Sequence, residues 1–304
     1  MTDCRRSMGG EDTDLLCVEV SALGAPPTLP RVAFGVWQEL PPACTMSSTE
    51  QTHEDFLKSL LLKTDAYRPA RASLRFMEDP EFLTMRYAVV GWFAKVSASY
   101  EFANETVLAA LSHFDRYVSI RLETVRDNML LQLAAYVALL VSSKMSETCH
   151  LRMTNLDSLT GRMFTPLQVK HLEMDMIAKL QFRLAPPSAD ETLHCLCNLL
   201  HHSDSWPSSV PIGRVLSAGA CCLQKARART CWFRHAPFTL AVAALATAYS
   251  FLGLGHLRRR LLRECDARAR SVTGRGVDIK GVAACAEAMA VEERAAAVVA
   301  AATY

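Results

Sequence analysis

The stretch from Met129 to Val141 reads MLLQLAAYVALLV and decides the fold, because nearly every position in it is apolar. A helix that is apolar on all its faces is stable in water only when other helices surround it. The run holds about 13 residues, including Gln132, and is therefore shorter than the roughly 20 apolar residues that span a bilayer. We expect it to form the buried central helix of a bundle.

Amphipathic stretches before and after this run predict the surrounding helices. Apolar side chains recur every three or four residues at Val89, Phe93, Val96 and Tyr100, and again at Val107, Leu111, Phe114 and Val118. Asn104 stands where it would cap the second of these helices. A short helix is expected around 154–159. The next begins at Thr165-Pro166-Leu167-Gln168, which is a capping box with proline in the first turn.

A second round of helical pattern follows Pro186 and Pro187. Residues 236–249 are again apolar on all sides, and alternating runs typical of strands are scarce. We therefore predict an all-α protein with two similar helical bundles. The expected divisions are a mobile leader at 1–50, a first bundle with a preceding helix at 51–185, and a second helical domain at 186–304.

Composition and charge exclude several classes of protein. Hydrophobic residues make up 50% of the chain and charged residues 21%, as in a globular protein. The formal net charge of +2 implies neither a nucleic acid nor a membrane partner. The 11 cysteines are odd in number and several lie in apolar helical segments, and the first residues lack the apolar core of a signal peptide. A reduced intracellular compartment is expected.

Four strings carry a resemblance to a known family. They read MRYAVVGWFAKV at 85–96, HFDRYVS at 113–119, LLVSSKMSET at 139–148 and LEMDMIAKLQFRL at 172–184. In this order and at this spacing they resemble the first repeat of a cyclin, and the resemblance covers about residues 55–200. Within the family, SKMSET at 143–148 and an LxCxE string near the N-terminus look most like the D type. The resemblance implies tandem cyclin-box bundles and a non-catalytic subunit that activates a cyclin-dependent kinase without a cofactor or small-molecule substrate.

Lys144 and Glu173 match the two residues with which the family contacts its kinase. Lys144 follows the apolar run, and Glu173 lies in the middle of the amphipathic stretch from Thr165 to Leu180. An ammonium offers three donors and a carboxylate two acceptor oxygens, so the pair can satisfy both polarities of a foreign backbone. Taken without the resemblance, Lys144 is also a cation favoured at a helix C-terminus and Glu173 a solvated charge.

Arg86 and Asp115 match an ion pair that links the first two helices of the family's first repeat. The resemblance assigns this pair to the fold and not to function. If both groups are buried, removing one would leave the other charge unpaired, at a cost of roughly 3–5 kcal/mol.

The family's docking groove for Arg-x-Leu segments of substrates would map onto Met85, Val89, Trp92 and Gln132. Strong-docking relatives carry larger apolar residues where Ala88 and Val89 stand, and an acidic residue where Lys95 stands. We therefore expect weak docking, because Lys95 would repel the incoming arginine. Membership of an ordinary apolar core remains an equal alternative for these side chains.

Leu15, Cys17 and Glu19 form the LxCxE string, which binds the pocket of retinoblastoma-like proteins. D-type cyclins carry it in the same place, and an extended tail can pair with a groove through its backbone. The resemblance thus implies action at cell-cycle entry (G1/S), partners that include a pocket protein and kinase inhibitor proteins, no membrane partner, and a nuclear and cytoplasmic location.

Other candidate sites carry weaker signals. Cys195, Cys197, His201 and His202 lack a CxxC arrangement, so we predict no metal site. No nucleophile–base constellation or phosphate loop is visible, so no enzymatic activity is expected. A basic stretch comprises Arg258, Arg259, Arg260, Arg263, Arg268, Arg270 and Arg275. It reads as a solvated helix face, or as a nuclear import or nucleic-acid contact. The second possibility favours the alternative function, a DNA-binding transcription factor built on tandem cyclin folds.

Overall fold

The computed structural model describes residues 50–121, 127–201, 203, 206 and 210–301, and within them all regular structure is helical. The α-helices are α1 Glu50–Lys63, α2 Leu74–Met77, α3 Pro80–Tyr100, α4 Asn104–Ile120, α5 Asn128–Ser146, α6 Leu156–Thr160, α7 Pro166–Lys179, α8 Ala189–His201, α9 Ile212–Ala226, α10 Thr230–Arg234, α11 Pro237–Phe251, α12 Arg258–Thr273 and α13 Ile279–Ala301. Short 3₁₀ turns join several of them. The all-α prediction is confirmed.

Helix α5 is the centre of the first bundle, where α3, α4 and α7 pack around it. Every residue from Ala134 to Leu140 has 0% of its surface exposed. The helix has 19 residues and is longer than its apolar run, so by length and composition alone it could cross a membrane. Burial among neighbouring helices accounts equally well for that composition, as predicted for a central helix.

Helix α11 has the corresponding place in the second bundle, against α8, α9, α12 and α13. Its residues from Ala241 to Ala246 are fully buried. Helix α1 packs against α8 and α12 of this bundle, although its sequence precedes the first one. Leu57 of α1 joins the second core, and the Cys195 thiol donates to the His53 carbonyl over 3.1 Å.

The helix ends show where local sequence decides and where it does not. The capping box at α7 is present: the amide of Gln168 donates to Thr165 Oγ1 over 3.3 Å, and Gln168 Oε1 accepts from the Thr165 amide over 2.8 Å. The prediction that Asn104 caps α4 is wrong, because Ala103 holds that position. The Glu147 carboxylate, just after α5, accepts from the Ala103 amide over 2.7 Å instead. A tertiary contact has replaced the local cap.

Candidate partner-binding surface

Lys144 and Glu173 meet on the surface of the first bundle. Lys144 lies in the last turn of α5, Glu173 lies in the middle of α7, and Nζ donates to Oε1 over 2.6 Å. Their side chains are 38% and 18% exposed. The ammonium keeps two further donors and the carboxylate its second oxygen, so the pair can still bind another molecule.

Local burial explains why these two side chains reach the surface. Buried residues in α5 end at Ser143, whose hydroxyl donates to the Leu140 carbonyl over 3.0 Å and accepts from the Leu151 amide over 3.2 Å. The chain after α5 is held in place by these bonds. On α7, Val169 and Met176 face the core. Glu173 is four residues after Val169 and three before Met176, so it lies on the same side of the helix, where its side chain is still 18% exposed.

Three large apolar side chains are exposed, two of them next in sequence to the ion pair and one just beyond α7. Met145 is 59% exposed and Met174 is 63% exposed, and each directly follows one member of the pair. Phe182, just beyond α7, is 77% exposed at a φ of 57°. Sequence reasoning did not single out these three residues. The available signal was their departure from the helical apolar period, since an apolar residue off the buried face has no place in the core.

Asp175, two residues after Glu173, connects α7 to α4. Its Oδ2 accepts from the Tyr117 hydroxyl over 2.7 Å and from Arg121 Nη2 over 3.0 Å. Burial, reinforced by the hydrogen bond to Asp175, raises the pKa of Tyr117 above its usual range. The phenol therefore stays protonated and keeps donating. These bonds fix the position of α7 along α4, and with it the position of Glu173 on the surface.

Arg86 and Asp115 form the ion pair expected between α3 and α4. Nε and Nη2 of Arg86 each donate to one Asp115 oxygen over 2.8 Å, and the two side chains are 0% and 3% exposed. The remaining nitrogen, Nη1, donates to the Arg227 carbonyl over 2.7 Å, and the guanidinium lies 5.1 Å from the centre of the Phe233 ring. Arg86 therefore also joins the first bundle to the second.

The residues proposed for a docking groove are mainly core residues. Val89 and Trp92 are 3% exposed and belong to the first core, whereas Met85 and Gln132 are half-buried. Trp92 Nε1 and Gln132 Oε1 are buried without a hydrogen-bond partner within the described residues. Lys95 is exposed on the same helix. An apolar ligand would thus find little open apolar surface here.

Cysteine and histidine side chains show no metal-binding arrangement in the part of the chain that the structure describes. Cys195 and Cys197 are buried in α8, and burial raises the pKa of Cys195 to about 11. Such thiols stay protonated at neutral pH and are poor ligands. His202 and the LxCxE residues Leu15, Cys17 and Glu19 lie outside the described residues.

Comparisons with known proteins agree on the first bundle. Residues 55–185 match the family model described as "Cyclin, N-terminal domain". Cyclin-A3-2 of Arabidopsis thaliana is 29% identical over 134 residues, which are 44% of this chain and 35% of that protein. G1/S-specific cyclin-D1 of Bos taurus is 26% identical over 149 residues, or 47% of this chain and 50% of that protein. The chain thus matches between about a third and half of the length of these relatives, and A-type names prevail over the D type among them.

Solved structures extend the likeness to both bundles. A viral cyclin from herpesvirus saimiri superposes with a TM-score of 0.51 at 18% identity, covering 76% of this chain and 97% of the viral one. A chain of the CAK complex from Chaetomium thermophilum bound to ATP-gamma-S gives a TM-score of 0.50 at 18% identity, covering 78% of this chain and 75% of that one. At this identity the likeness shows the fold, which is that of the cyclins.

Proposed function

We propose that this chain is a regulatory, non-catalytic subunit that binds and activates a cyclin-dependent protein kinase. The observation that carries the proposal is the Lys144–Glu173 pair, bonded at 2.6 Å on an exposed face with Met145 and Met174 beside it. The match of residues 55–185 to the cyclin N-terminal domain supports it. So does a fold shared with a viral cyclin.

The pair contributes little to folding, and this makes a binding role the better explanation. An ion pair at a protein surface contributes about 0–1 kcal/mol to stability. At an interface the same two groups would be desolvated, and their remaining donors and acceptor oxygen would hydrogen-bond the kinase backbone. Exposed methionines beside them supply adaptable apolar contact.

Activation would follow from selective binding to one state of the kinase. A kinase is active when its Lys–Glu ion pair and its metal-binding Asp are both in place. If this surface binds only the conformation with the regulatory helix docked, binding shifts the population of the kinase toward that conformation. The chain then needs no catalytic group of its own.

The test replaces both members of the pair, as Lys144→Ala with Glu173→Ala. We expect kinase activation to be lost while helicity and unfolding midpoint stay within error, because the pair stabilises the fold so little. The matched control is Asp157→Ala with Arg162→Ala, an exposed pair at α6 whose atoms lie 3.9 Å apart. Normal activation by a folded Lys144–Glu173 double variant would refute the assignment.

The finer proposal is that the kinase acts at G1/S on retinoblastoma-like proteins captured by Leu15, Cys17 and Glu19. Kinase inhibitor proteins would be further partners, and the complex would work in nucleus and cytoplasm. A peptide covering Asp12 to Ala22 should bind a pocket protein. Unchanged affinity after Cys17→Ala and Glu19→Ala would exclude this role for the leader.

Docking of Arg-x-Leu segments should be weak in this chain. Val89 and Trp92 are buried, so little apolar surface is open to a substrate leucine, and Lys95 would meet the substrate arginine with a like charge. Lys95→Glu should improve binding of an Arg-x-Leu peptide, most clearly at low salt, since exposed charges are screened. Tight wild-type binding that ignores this substitution would contradict the expectation.

A further inference from the structure

One face of α12 carries arginines that have no acidic partner among the residues that the structure describes. Arg259 and Arg263 are exposed one turn apart, and Arg258 is half-buried beside them. Within the described residues, no carboxylate lies within ion-pair distance of these three. The nitrogen Nε of Arg263 only approaches the Arg259 carbonyl of its own helix, at 3.4 Å. We call Arg258, Arg259 and Arg263 the arginine face.

Further along α12 the positive charges are neutralised. Arg268 bonds Glu54 of α1 at 2.9 Å and lies 3.8 Å from Glu264, while Arg270 bonds Asp266 at 2.8 Å. Only the first turns of α12 therefore keep a net positive surface. Cations in a first turn are also disfavoured by the helix dipole, so an anion placed there would relieve an unfavourable arrangement.

The chain itself contains an anionic segment that precedes α1 in the sequence. Residues 11–19 read EDTDLLCVE, with four carboxylates and no basic residue. The leader joins α1, and α1 is fixed to α12 by the Glu54–Arg268 bond. About 30 residues separate Glu19 from Glu50. A random-coil linker of that length would span about 30 Å. From Arg268 back to Arg259 the helix rises only about 14 Å.

We propose that the acidic segment 11–19 docks on the arginine face of α12 and so covers the LxCxE string. A flexible linker of this length would give the segment an effective concentration in the millimolar range, at which individually weak charge contacts are populated. This docking rests only on the opposite charges of the two segments and the length of chain between them. Its consequence, competition with a pocket protein for residues 15–19, rests on the proposed function of the leader.

The test compares leader resonances in full-length, ¹⁵N-labelled protein with those of a peptide of residues 1–49. We expect the amides of 11–20 to differ between the two samples and to approach the peptide values in Arg259→Glu with Arg263→Glu. About 1 M salt, where the Debye length is about 3 Å, should have the same effect. Adding Asp12→Arg and Asp14→Arg to the reversed arginines should restore the difference. Coincident resonances in the wild-type chain and the peptide would overturn the proposal.

The control reverses Arg71 and Arg75, two exposed arginines of the first bundle one turn apart, and should leave the leader unchanged. If the segment is docked half to four-fifths of the time, reversal on α12 should raise affinity for a pocket protein about 2- to 5-fold. Shifted resonances without any pocket binding would retain the docking and refute the proposed function of the leader. DNA binding that requires Arg259 and Arg263, with the leader unaffected by their reversal, would overturn the docking.

Discussion

The two bundles bury their central helices, α5 and α11, with different kinds of side chain. In the first, α5 packs among large apolar residues, and the bundle also buries polar groups, among them Arg86, His113 and Ser142 of α5 itself. In the second, α11 presents mainly small residues: Ala241, Ala243, Ala244, Ala246 and Ala248 are all fully buried. At the α8–α9 contact, a Cβ added to Gly219 would lie 3.0 Å from the Leu193 side chain. There the Leu193 side chain of α8 packs directly against the α9 backbone at Gly219.

This difference explains why one half of the chain is easier to recognise than the other. A buried ion pair, or a histidine held between two partners, tolerates few residue types at fixed positions. A helix that needs only small apolar residues can be formed by many different sequences, because such cores accept substitution when volume is conserved. The family model accordingly matches 55–185, while the second bundle is similar to known structures in fold.

The largest effect that tests this difference between the bundles is expected when Arg86 is removed. Arg86→Met leaves the Asp115 carboxylate buried and unpaired, and should cost roughly 3–5 kcal/mol of unfolding free energy. Urea unfolding followed by circular dichroism measures it. Adding Asp115→Leu should recover most of the loss, because no buried charge then remains. A loss below about 1 kcal/mol in the single variant would mean that water reaches the pair.

The second test exchanges packing strategies between the central helices. Leu139→Ala in α5 opens a cavity and should destabilise the protein by about 2–5 kcal/mol. Ala244→Leu in α11 overpacks a closely approached surface and should cost about 1–3 kcal/mol. Both residues are 0% exposed, so the pair of variants is matched in burial. Equal tolerance of both helices to enlargement and truncation would remove the distinction.

The third test uses pH, because His113 is a buried titratable group specific to the first bundle's core. Its Nε2–H donates to the Leu184 carbonyl over 3.1 Å and its Nδ1 accepts from Ser142 over 2.9 Å. Burial, reinforced by nearby Arg116, lowers the pKa of His113 from 6.5 to about 4. The unfolded chain therefore binds the proton first, and stability falls as pH decreases from about 6.5 toward 4, by at most about 1.4 kcal/mol per pH unit.

His113→Gln isolates this contribution. The variant should be less stable at neutral pH, but its stability should change less between pH 6.5 and 4 than that of the wild type. Asp190 works in the opposite sense: burial raises the pKa of its carboxyl above the usual value, so its contribution to stability falls as pH rises. Subtracting the two curves removes the Asp190 effect. Parallel curves for variant and wild type would contradict the role of His113.

The smallest expected effect concerns the two buried tyrosines of the central helices. Tyr136 in α5 and Tyr249 in α11 are 0% exposed, and neither hydroxyl has a hydrogen-bond partner within the described residues. Tyr136→Phe and Tyr249→Phe should each be neutral or stabilising by up to about 1 kcal/mol, since they remove a buried unsatisfied polar group. Destabilisation of either by more than that would reveal a partner, such as a buried water, for that hydroxyl.

Sequence reasoning succeeded where the determinants are local or are shared with a known pattern. The apolar run of α5 and the capping box at Thr165 were predicted. Lys144 and Glu173 were singled out together as contacts for a partner, but their bond to each other was not predicted. Sequence reasoning failed at the start of α4, where a carboxylate from the end of α5 caps the helix in place of Asn104. The packing of α1 on the second bundle and the exposure of Phe182 likewise depend on contacts between distant segments. No periodicity within one segment encodes such contacts.

The guanidinium of Arg86 has a practical consequence for anyone dissecting the molecule. Two of its partners, the Arg227 carbonyl and the Phe233 ring, come from beyond residue 185, where the family match ends. A fragment cut at that boundary would retain every recognisable motif of the first bundle and yet expose one face of its most deeply buried cation. The family match therefore covers a smaller unit than the one that can be expected to fold. Expression trials should begin with residues 50–301.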